Sequence, residues 1–268
     1  MTSERVSISV ADGIADVRLN RPDKLNAIDP AMFSALSEAP AEIAKRGDVR
    51  AVVLSGSGRA FCAGLDLGSL GSGSADGGGI PADITERTHG AANLFQHAVW
   101  GWREVPVPVI AAVTGVAFGG GLQIALAADV RIVAPDARLA VMEVRWGLVP
   151  DMAGYVLMRG LVRDDVAREL TYTARKVTGT EAVTLGLATR TADDPLSAAF
   201  DLAREIAGRS PRAVRAAKRL FAVAADAPAD QILLEESREQ QPLLSGPDAA
   251  EALTAQLEGR SPKFTDVG

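Results

Sequence analysis

Two glycine-containing turns carry the clearest chemical potential in this chain. The first is the segment FCAGLDL at residues 61–67, which follows an apolar run ending at Leu54. The second is the glycine triplet at residues 119–121, which follows an apolar run ending at Val113 and leads into a helical pattern. Glycine lets the backbone approach a ligand closely, and the start of a helix presents unpaired N–H groups. Brought together, two such turns would aim two N–H donors at one developing oxyanion.

Glycines in such turns can also serve tight packing or phosphate binding. No Lys-Ser or Lys-Thr pair follows the triplet, so the Walker pattern of nucleotide-binding loops is missing. The chain has no G-x-S-x-G motif either, which removes the obvious nucleophile of a serine hydrolase. The pairing of the two turns, each after a predicted buried strand, favours the oxyanion interpretation.

These turns require strands and helices that hold them in place. Alternating apolar residues on both sides of Asp12-Gly13 predict a β-hairpin between Val6 and Leu19. The pattern then predicts helices at 30–45, 84–102 and 122–128, and strands at 49–54, 107–113, 130–133 and 138–141. Further helices are predicted at 164–173, 181–185, 195–207, 211–225, 230–241 and 248–257. Strands alternating with helices, then a run of helices, indicate an α/β core with an α-helical tail.

The composition limits the partners. The 268 residues contain 28 Lys and Arg against 34 Asp and Glu, which gives a net charge of −6. This balance argues against a nucleic-acid or anionic-membrane partner, which would favour a basic face. The uncharged stretch 105–128 is long enough to span a bilayer. Its prolines and glycines would break a spanning helix, so a buried strand, a turn and a buried helix are predicted there instead.

Cysteine and histidine usage gives no sign of a disulfide or a metal. The single cysteine, Cys62, cannot form an internal disulfide, and the first residues show no signal-peptide core. We therefore expect a cytoplasmic protein. His89 and His97 are eight residues apart on one predicted helix, but no further ligand stands at a suitable spacing, so no metal site is predicted.

Four motifs together resemble the enoyl-CoA hydratase/isomerase (crotonase) superfamily. They are Leu19-Asn20-Arg21-Pro22 with Asn26-Ala27, the FCAGLDL segment, Gly119-Gly120-Gly121, and Glu143 followed by Gly147-Leu148-Val149-Pro150. Their order and spacing match from about Val6 to Pro262-Lys263-Phe264. The resemblance implies a crotonase-like (ClpP/crotonase) spiral of ββα units over residues 1–194. It also implies a C-terminal α-helical region at 195–268 that builds a homotrimer or a hexamer.

The resemblance further implies an acyl-CoA thioester substrate, with coenzyme A as part of that substrate and no separate cofactor. The oxyanion hole would consist of the backbone N–H groups of Leu65 and Gly120. Leu25, Ala27, Ala63, Asp66 and Leu67 fall where the family surrounds adenine and pantetheine, and Gly119, Gln123 and Phe264 are further predicted substrate-binding residues. Arg21, Lys24 and Lys263 are the cations expected near the phosphates, although exposed cations are also common without a ligand.

The acid and base positions decide the reaction. Hydratases of this family carry two glutamates; the first falls on Gln123 here and the second on Glu143. Glutamine can hydrogen-bond a water molecule but cannot act as a general base. Asp151 matches one carboxylate of the dienoyl-CoA isomerase branch, whose other additional carboxylate falls on Gln123. A carboxylate in an apolar pocket has a raised pKa, which suits proton abstraction beside a thioester.

We therefore expect double-bond isomerisation of an enoyl- or dienoyl-CoA, with Glu143 as the base. The alternative is a 2-enoyl-CoA hydratase in which Asp151 or Gln123 compensates for the missing glutamate, and a third hypothesis is a catalytically silent acyl-CoA-binding protein. Non-catalytic roles for the carboxylates are a surface ion pair between Glu143 and Arg145 and an N-cap by Asp151 for a helix starting near Ala153. The glycine-rich segment 68–79 is expected to be mobile without ligand.

Overall fold

The computed structural model describes residues 5–68 and 83–267. Apart from Gly68, the segment predicted to be mobile lies outside these residues. The strands are β1 (Val6–Ala11), β2 (Ile14–Leu19), β3 (Ala51–Gly56), β4 (Val109–Val113), β5 (Val116–Phe118), β6 (Val130–Val133), β7 (Arg138–Ala140), β8 (Val177–Thr178) and β9 (Arg190–Thr191). The α-helices are α1 (Pro30–Ala44), α2 (Leu94–Glu104), α3 (Gly120–Ala127), α4 (Gly154–Met158), α5 (Asp164–Thr173), α6 (Gly179–Leu185), α7 (Pro195–Ala207), α8 (Pro211–Ala224), α9 (Ala229–Leu244) and α10 (Pro247–Glu258), and 3-10 turns span Pro22–Lys24 and Glu143–Trp146.

The larger sheet has the strand order β1-β2-β3-β4-β6-β9. β1 and β2 form the predicted antiparallel hairpin, and from β2 onward the neighbouring strands run parallel. A smaller sheet has the order β5-β7-β8, with β5 and β7 parallel. The α/β prediction is therefore confirmed. Because parallel strands share a direction, the segments that leave β2, β3 and β4 all emerge at one edge of the larger sheet.

The two sheets are linked by a repeated path of the chain. After β4 the chain enters the smaller sheet as β5 and then forms α3; after β6 it enters the smaller sheet as β7. The segment after β3 follows the same course, since Cys62 pairs with Ala117 of β5 in a parallel bridge. The repeat places the residues that follow β3 and β5, including both glycine turns, side by side.

The core lies on both faces of the larger sheet. On one face the largest fully buried side chains include Trp102, Phe61 and Met32, packed among α1, α2 and α3. On the other face α7 presents Ala199, Ala203 and Ala207, spaced by one helical turn, to the sheet. Their small side chains let α7 lie close to the strands.

The helices after α7 leave much apolar surface exposed in one chain. Lys218 of α8 is tied to the sheet: its Nζ donates to the Val107 carbonyl at 2.8 Å and lies 2.9 Å from Asp129 Oδ2. Beyond it, Phe221 is 74% exposed and Leu257 is 80% exposed. Large apolar side chains exposed in this way are candidates for a contact surface. Within the described residues, no helix combines the length and apolar character that a membrane span needs.

The predicted helix at 84–102 is wrong in its first half. The helix begins only at Leu94, because Asn93 accepts a hydrogen bond from the Gln96 N–H while the Gln96 side chain accepts one from the Asn93 N–H. This capping box fixes the start of α2. His89 consequently lies outside the helix, although its ring stacks on that of His97 with centroids 4.4 Å apart. The described residues contain no group of three or more side chains arranged to hold a metal ion.

The close approach of α7 to the sheet gives a stability prediction. Ala203 is 0% exposed, so Ala203→Met has no space for its added atoms and should lower the free energy of unfolding by about 1–3 kcal/mol. Urea denaturation measures this change. The matched control is Ser197→Met on the exposed side of the same helix. Equal stability of the two variants would contradict the packing described for α7.

Candidate active site

The two glycine turns meet through the pairing of their preceding segments. The Cys62–Ala117 bridge is parallel, and three residues further along each segment lie Leu65 and Gly120. The parallel register therefore sets these two residues opposite each other. A Cβ atom placed on Gly64 would lie only 3.7 Å from the Gly120 nitrogen, so the backbones are close there.

Local hydrogen bonding sets the direction of the Leu65 amide. The Ile28 N–H donates to the Gly64 carbonyl at 2.8 Å, and the Asp66 N–H donates to the Ile28 carbonyl at 2.9 Å. Because successive amides of an extended segment point to opposite sides, the N–H of Leu65 points away from Ile28. Gly120 is the first residue of α3, where an N–H has no acceptor within the helix. Both predicted oxyanion donors thus belong to adjoining backbone segments.

Glycine is required at this junction for steric reasons. Gly64 has φ +87°, in the left-handed region, and a Cβ there would lie 2.5 Å from the Phe118 carbonyl oxygen. A Cβ on Gly121 would lie 2.4 Å from the Cys62 carbonyl oxygen. Burial raises the pKa of the Cys62 thiol to about 12, so this residue is a packing group with no reactive thiolate. The glycines therefore serve close backbone approach, which places the amides.

The buried side-chain amide of Asn26, a motif residue to which the sequence assigned no role, fixes the loop of residues 20–29 after β2, called the first loop below. The Oδ1 atom of Asn26 accepts from the Arg21 N–H at 2.8 Å. Its Nδ2 donates to the carbonyls of Ser57, Ala60 and Phe61 at 3.0, 2.8 and 3.2 Å. Asn26 is 0% exposed and has φ 56°, a left-handed conformation that asparagine tolerates better than most residues. Its place in the Asn26-Ala27 motif was the available signal.

Arg21 and Asp66 tie the first loop to the FCAGLDL segment. Arg21 Nη1 lies 2.7 Å from Asp66 Oδ2, and Arg21 Nε lies 3.6 Å from Asp29 Oδ2. The hydrogen bond from Arg21 lowers the pKa of Asp66, and the charge of exposed Lys24 lowers it further. Arg21 is therefore engaged within the protein, whereas Lys24 is open to solvent beside it. The first loop also carries Leu25 and Ala27, and the FCAGLDL segment carries Ala63 and Leu67. All four residues are at least partly accessible to solvent.

Two further residues predicted to bind coenzyme A, Lys263 and Phe264, lie away from the first loop within a single chain. The Phe264 carbonyl accepts from Arg50 Nη2 at 2.7 Å, and the Lys263 N–H donates to Glu251 Oε1 at 2.6 Å. Arg50 directly precedes β3, whereas Lys24 follows β2, and these two strands run parallel. Lys263 and Phe264 are thus held near one edge of the sheet while Lys24 lies at the other edge.

Glu143 is a buried carboxylate beside the glycine triplet. It is 9% exposed, and a Cβ on Gly119 would lie 3.3 Å from its Oε1. Oε1 accepts from Gln123 Nε2 at 2.6 Å, while Oε2 is buried with no hydrogen-bond partner among the described residues. Burial raises the pKa of Glu143, hydrogen bonds including that from Gln123 act against the rise, and the charge of Asp151 adds to it. This is the electrostatic setting of a general base.

Gln123 is held by the protein at both ends of its amide. Its Oε1 accepts from the Met152 N–H at 3.0 Å and from the Gly154 N–H at 2.8 Å. Its Nε2 points to the Glu143 carboxylate. Gln123 was predicted to bind substrate; the structure places it against Glu143 and the turn that precedes α4.

Neither carboxylate has the non-catalytic role that was considered as its alternative. Helix α4 begins at Gly154 with Ala153 as its N-cap and no side-chain cap, so Asp151 does not cap it. No ion pair joins Glu143 to Arg145, both of which the structure describes. Asp151 as a whole residue is exposed to solvent. Atoms of the same chain nevertheless surround its carboxyl group in part, and this desolvation raises its pKa.

Two adjoining backbone amides and a buried carboxylate beside them define an enzyme site that can stabilise an enolate. The chain belongs to the enoyl-CoA hydratase/isomerase family, whose model matches residues 9–267. An enoyl-CoA hydratase structure from Bacillus anthracis is 28% identical, with a TM-score of 0.87 over 97% of this chain and 98% of that one. The crotonase fold is therefore confirmed.

Relatives of both catalytic kinds are similar to this chain. "Probable enoyl-CoA hydratase" of Mycobacterium tuberculosis is 32% identical over 99% of each chain. The mitochondrial Delta(3,5)-Delta(2,4)-dienoyl-CoA isomerase of Mus musculus is 32% identical, covering 93% of this chain and 78% of the mouse protein. The chain is thus an enoyl-CoA hydratase or isomerase, and these similarities alone do not separate the two activities.

The role of Asn26 gives a testable prediction. Asn26→Ala removes the donor to three carbonyls and the acceptor for the Arg21 N–H, leaving buried polar groups unpaired. We expect the free energy of unfolding to fall by about 3 kcal/mol. Urea denaturation tests this against Asp23→Ala, an exposed change on the preceding turn that should shift it by at most about 0.5 kcal/mol. Similar values for the two variants would show that Asn26 does not hold the loop.

Proposed function

We propose that this enzyme moves a carbon–carbon double bond in an enoyl- or dienoyl-CoA, with Glu143 as the base. The observation that carries the proposal is the Gln123–Glu143 contact: an uncharged amide, not a second carboxylate, faces the buried base at 2.6 Å. Glutamine does not ionise at working pH, so it cannot act as a general acid or base toward water or substrate.

The proposed reaction begins at the thioester carbonyl. Its oxygen accepts hydrogen bonds from the backbone N–H groups of Leu65 and Gly120. Loss of an α proton moves the C–H electron pair into an enolate, and the negative charge develops on that oxygen. In characterised enzymes one such donor lowers the barrier by about 2.7–4 kcal/mol.

Glu143 supplies the proton transfer. Its Oε2, buried and without a hydrogen-bond partner in the described residues, takes the α proton of a 3-enoyl-CoA. The resulting carboxylic acid returns the proton to the γ carbon, and the double bond moves into conjugation with the thioester. One carboxylate therefore completes this reaction, and no atom is gained or lost by the substrate.

Hydration makes a different demand on the site. One group must take a proton from water while another delivers a proton to the α carbon, and Gln123 stands at the position of the family's first glutamate, which would perform part of this work. A general acid or base contributes about 10²–10⁴ in rate, so its loss should reduce hydration strongly.

A dienoyl-CoA is a second candidate substrate, supported by Asp151. The charge of Asp151 contributes to the raised pKa of Glu143, so the two carboxyl groups interact electrostatically. Moving both double bonds of a 3,5-dienoyl-CoA into conjugation requires a proton to leave the α carbon and another to arrive at the ε carbon. Two separated carboxylates suit this transfer better than one.

Assembly through the C-terminal helices, residues 195–268, is also part of the proposal. The exposed apolar residues of α8, α9 and α10 support a homotrimer or a dimer of trimers. The positions of Lys263 and Phe264, away from Lys24 in one chain, support a site to which the tail of a neighbouring subunit contributes. The cytoplasmic location remains a prediction.

The reaction itself is tested with the unmodified enzyme and Glu143→Gln. We expect isomerisation of 3-enoyl- or dienoyl-CoA, weak or no hydration of 2-enoyl-CoA, and a loss of turnover of about 10²–10⁴ in Glu143→Gln. Because the base must be ionised and burial raises its pKa, activity should fall with decreasing pH at a higher pH than for an ordinary glutamate. Ultraviolet assays across pH follow both reactions.

Asp151→Asn is the matched variant for the dienoyl reaction. It should lower dienoyl-CoA turnover and leave 3-enoyl-CoA turnover nearly unchanged if Asp151 delivers the second proton. Efficient hydration of crotonyl-CoA by the unmodified enzyme would instead place the hydratase first. Binding of acyl-CoA with no turnover of any unsaturated thioester would favour the silent binding protein.

Coenzyme A binding and assembly are tested together by calorimetry and sedimentation. Lys24→Ala and Lys263→Ala should both weaken acyl-CoA binding at low salt, and the difference from the unmodified enzyme should shrink as salt screens the phosphates. Lys45→Ala, an exposed lysine at the end of α1, is the control. A monomer at micromolar concentration would contradict the assembly, and unchanged affinity in both variants would contradict the phosphate assignment.

A further inference from the structure

Gln123 connects the buried base to the turn that precedes α4. Its Oε1 receives the N–H groups of Met152 and Gly154, and its Nε2 donates to Glu143 Oε1. We infer that Gln123 is a positioning residue, which fixes the Glu143 carboxylate so that Oε1 is occupied and Oε2 exchanges the proton with substrate. This inference rests on the proposed role of Glu143 as the base.

The polarity of the amide follows from its partners. The Met152 and Gly154 groups are both N–H donors, so only the oxygen of the Gln123 amide can face them. The nitrogen must then face Glu143. The backbone of the turn thus dictates that a donor, and not an acceptor, is presented to the carboxylate.

The contacts of Gln123 require a glutamine side chain at position 123 and a glycine at position 154. Asparagine is one methylene shorter and could not span the same groups. An ionised glutamate would accept both backbone N–H groups, but it would bring two carboxylate oxygens to about the 2.6 Å of the present contact, which requires a shared proton. A Cβ on Gly154 would lie 2.7 Å from Gln123 Oε1, so glycine at that position leaves room for the amide.

The arrangement leaves one oxygen of the base free. Gln123 approaches Glu143 from α3, and Asp151, the ionisable group whose charge acts on Glu143, lies on the turn after Pro150. With Oε1 held, Oε2 keeps no partner among the described residues. Among residues 5–68 and 83–267, no group therefore occupies the lone pair that must reach the substrate, and the hydrogen bond at the other oxygen sets its direction.

The experiment compares Gln123→Met, of similar length but without the amide, with Gln123→Glu, which keeps the acceptor for the turn. We measure kcat and KM for a 3-enoyl-CoA across pH. The ionisation of Glu143 is followed separately by carbon-13 NMR of labelled glutamate, with the resonance assigned by its absence in Glu143→Gln.

In Gln123→Met we expect kcat to fall roughly ten- to a hundredfold, as for misplaced catalytic groups, with KM changed by less than about threefold. The ionised form of Glu143 loses a hydrogen bond, so its resonance should titrate at higher pH. In Gln123→Glu the protonated side chain still donates. Its activity should therefore decline on the alkaline side as that proton leaves, a decline absent from the unmodified enzyme.

Two controls separate positioning from folding. Ala203→Met lowers stability far from the site, and it should leave the Glu143 titration unchanged. The atoms nearest to a Cβ added at Gly154 belong to Gln123 and Pro150, so Gly154→Ala crowds Gln123 Oε1 and should shift the titration in the same direction as Gln123→Met. If Gln123→Met does not fold, Gln123→Glu and Gly154→Ala carry the test.

An unchanged Glu143 titration and unchanged kcat in the folded variants would overturn the inference. A shifted titration together with an unmodified enzyme that isomerises no acyl-CoA would support the positioning of Glu143 while refuting the proposed function. If the unmodified enzyme isomerises acyl-CoA but the variants show an unchanged titration and an unchanged kcat, the proposed function stands and the positioning role of Gln123 is refuted.

Discussion

The parallel pairing of the segment after β3 with β5 is the constraint on which the site depends. The Cys62–Ala117 bridge sets the register of the two glycine turns, and Leu65 and Gly120 follow at matching positions. This pairing tolerates almost no side-chain volume, as the 2.5 Å and 2.4 Å approaches at Gly64 and Gly121 show. A slip of one residue would turn a carbonyl to the position of an amide and remove the oxyanion donors.

Burial of the charged Glu143 side chain costs free energy that the fold must offset. Glu143 is nearly enclosed, and a buried carboxylate is stable only when its hydrogen bonds compensate for lost water. Gln123 provides part of this compensation and transmits the geometry of the turn before α4 to the base. Desolvation raises the pKa of Glu143 and these hydrogen bonds act against the rise, so the group stays ionisable at a buried position.

Sequence patterns predicted most of the scaffold because its elements are locally encoded. The hairpin about Asp12-Gly13 and the buried strands follow from alternation and from apolar runs. The prediction of a helix at 84–102 is wrong for its first half. The spacing of apolar residues continues on the N-terminal side of Asn93, but Asn93 and Gln96 cap the helix there. Helix α1 spans Pro30–Ala44 as predicted and contains the buried Pro40, a residue type that usually interrupts a helix.

The sequence by itself determined the family, the glycine turns and Glu143, since these are short motifs whose residue types are set by local backbone and chemical needs. Only the tertiary structure decided what Gln123 and Arg21 contact, because their partners lie far along the chain: residues 152 and 154 for the amide, and Asp66 for the guanidinium. The separation of Lys263 and Phe264 from Lys24 was likewise invisible in the sequence. Parallel strands carry the two groups to opposite edges of one sheet, and strand direction is fixed only when the sheet assembles.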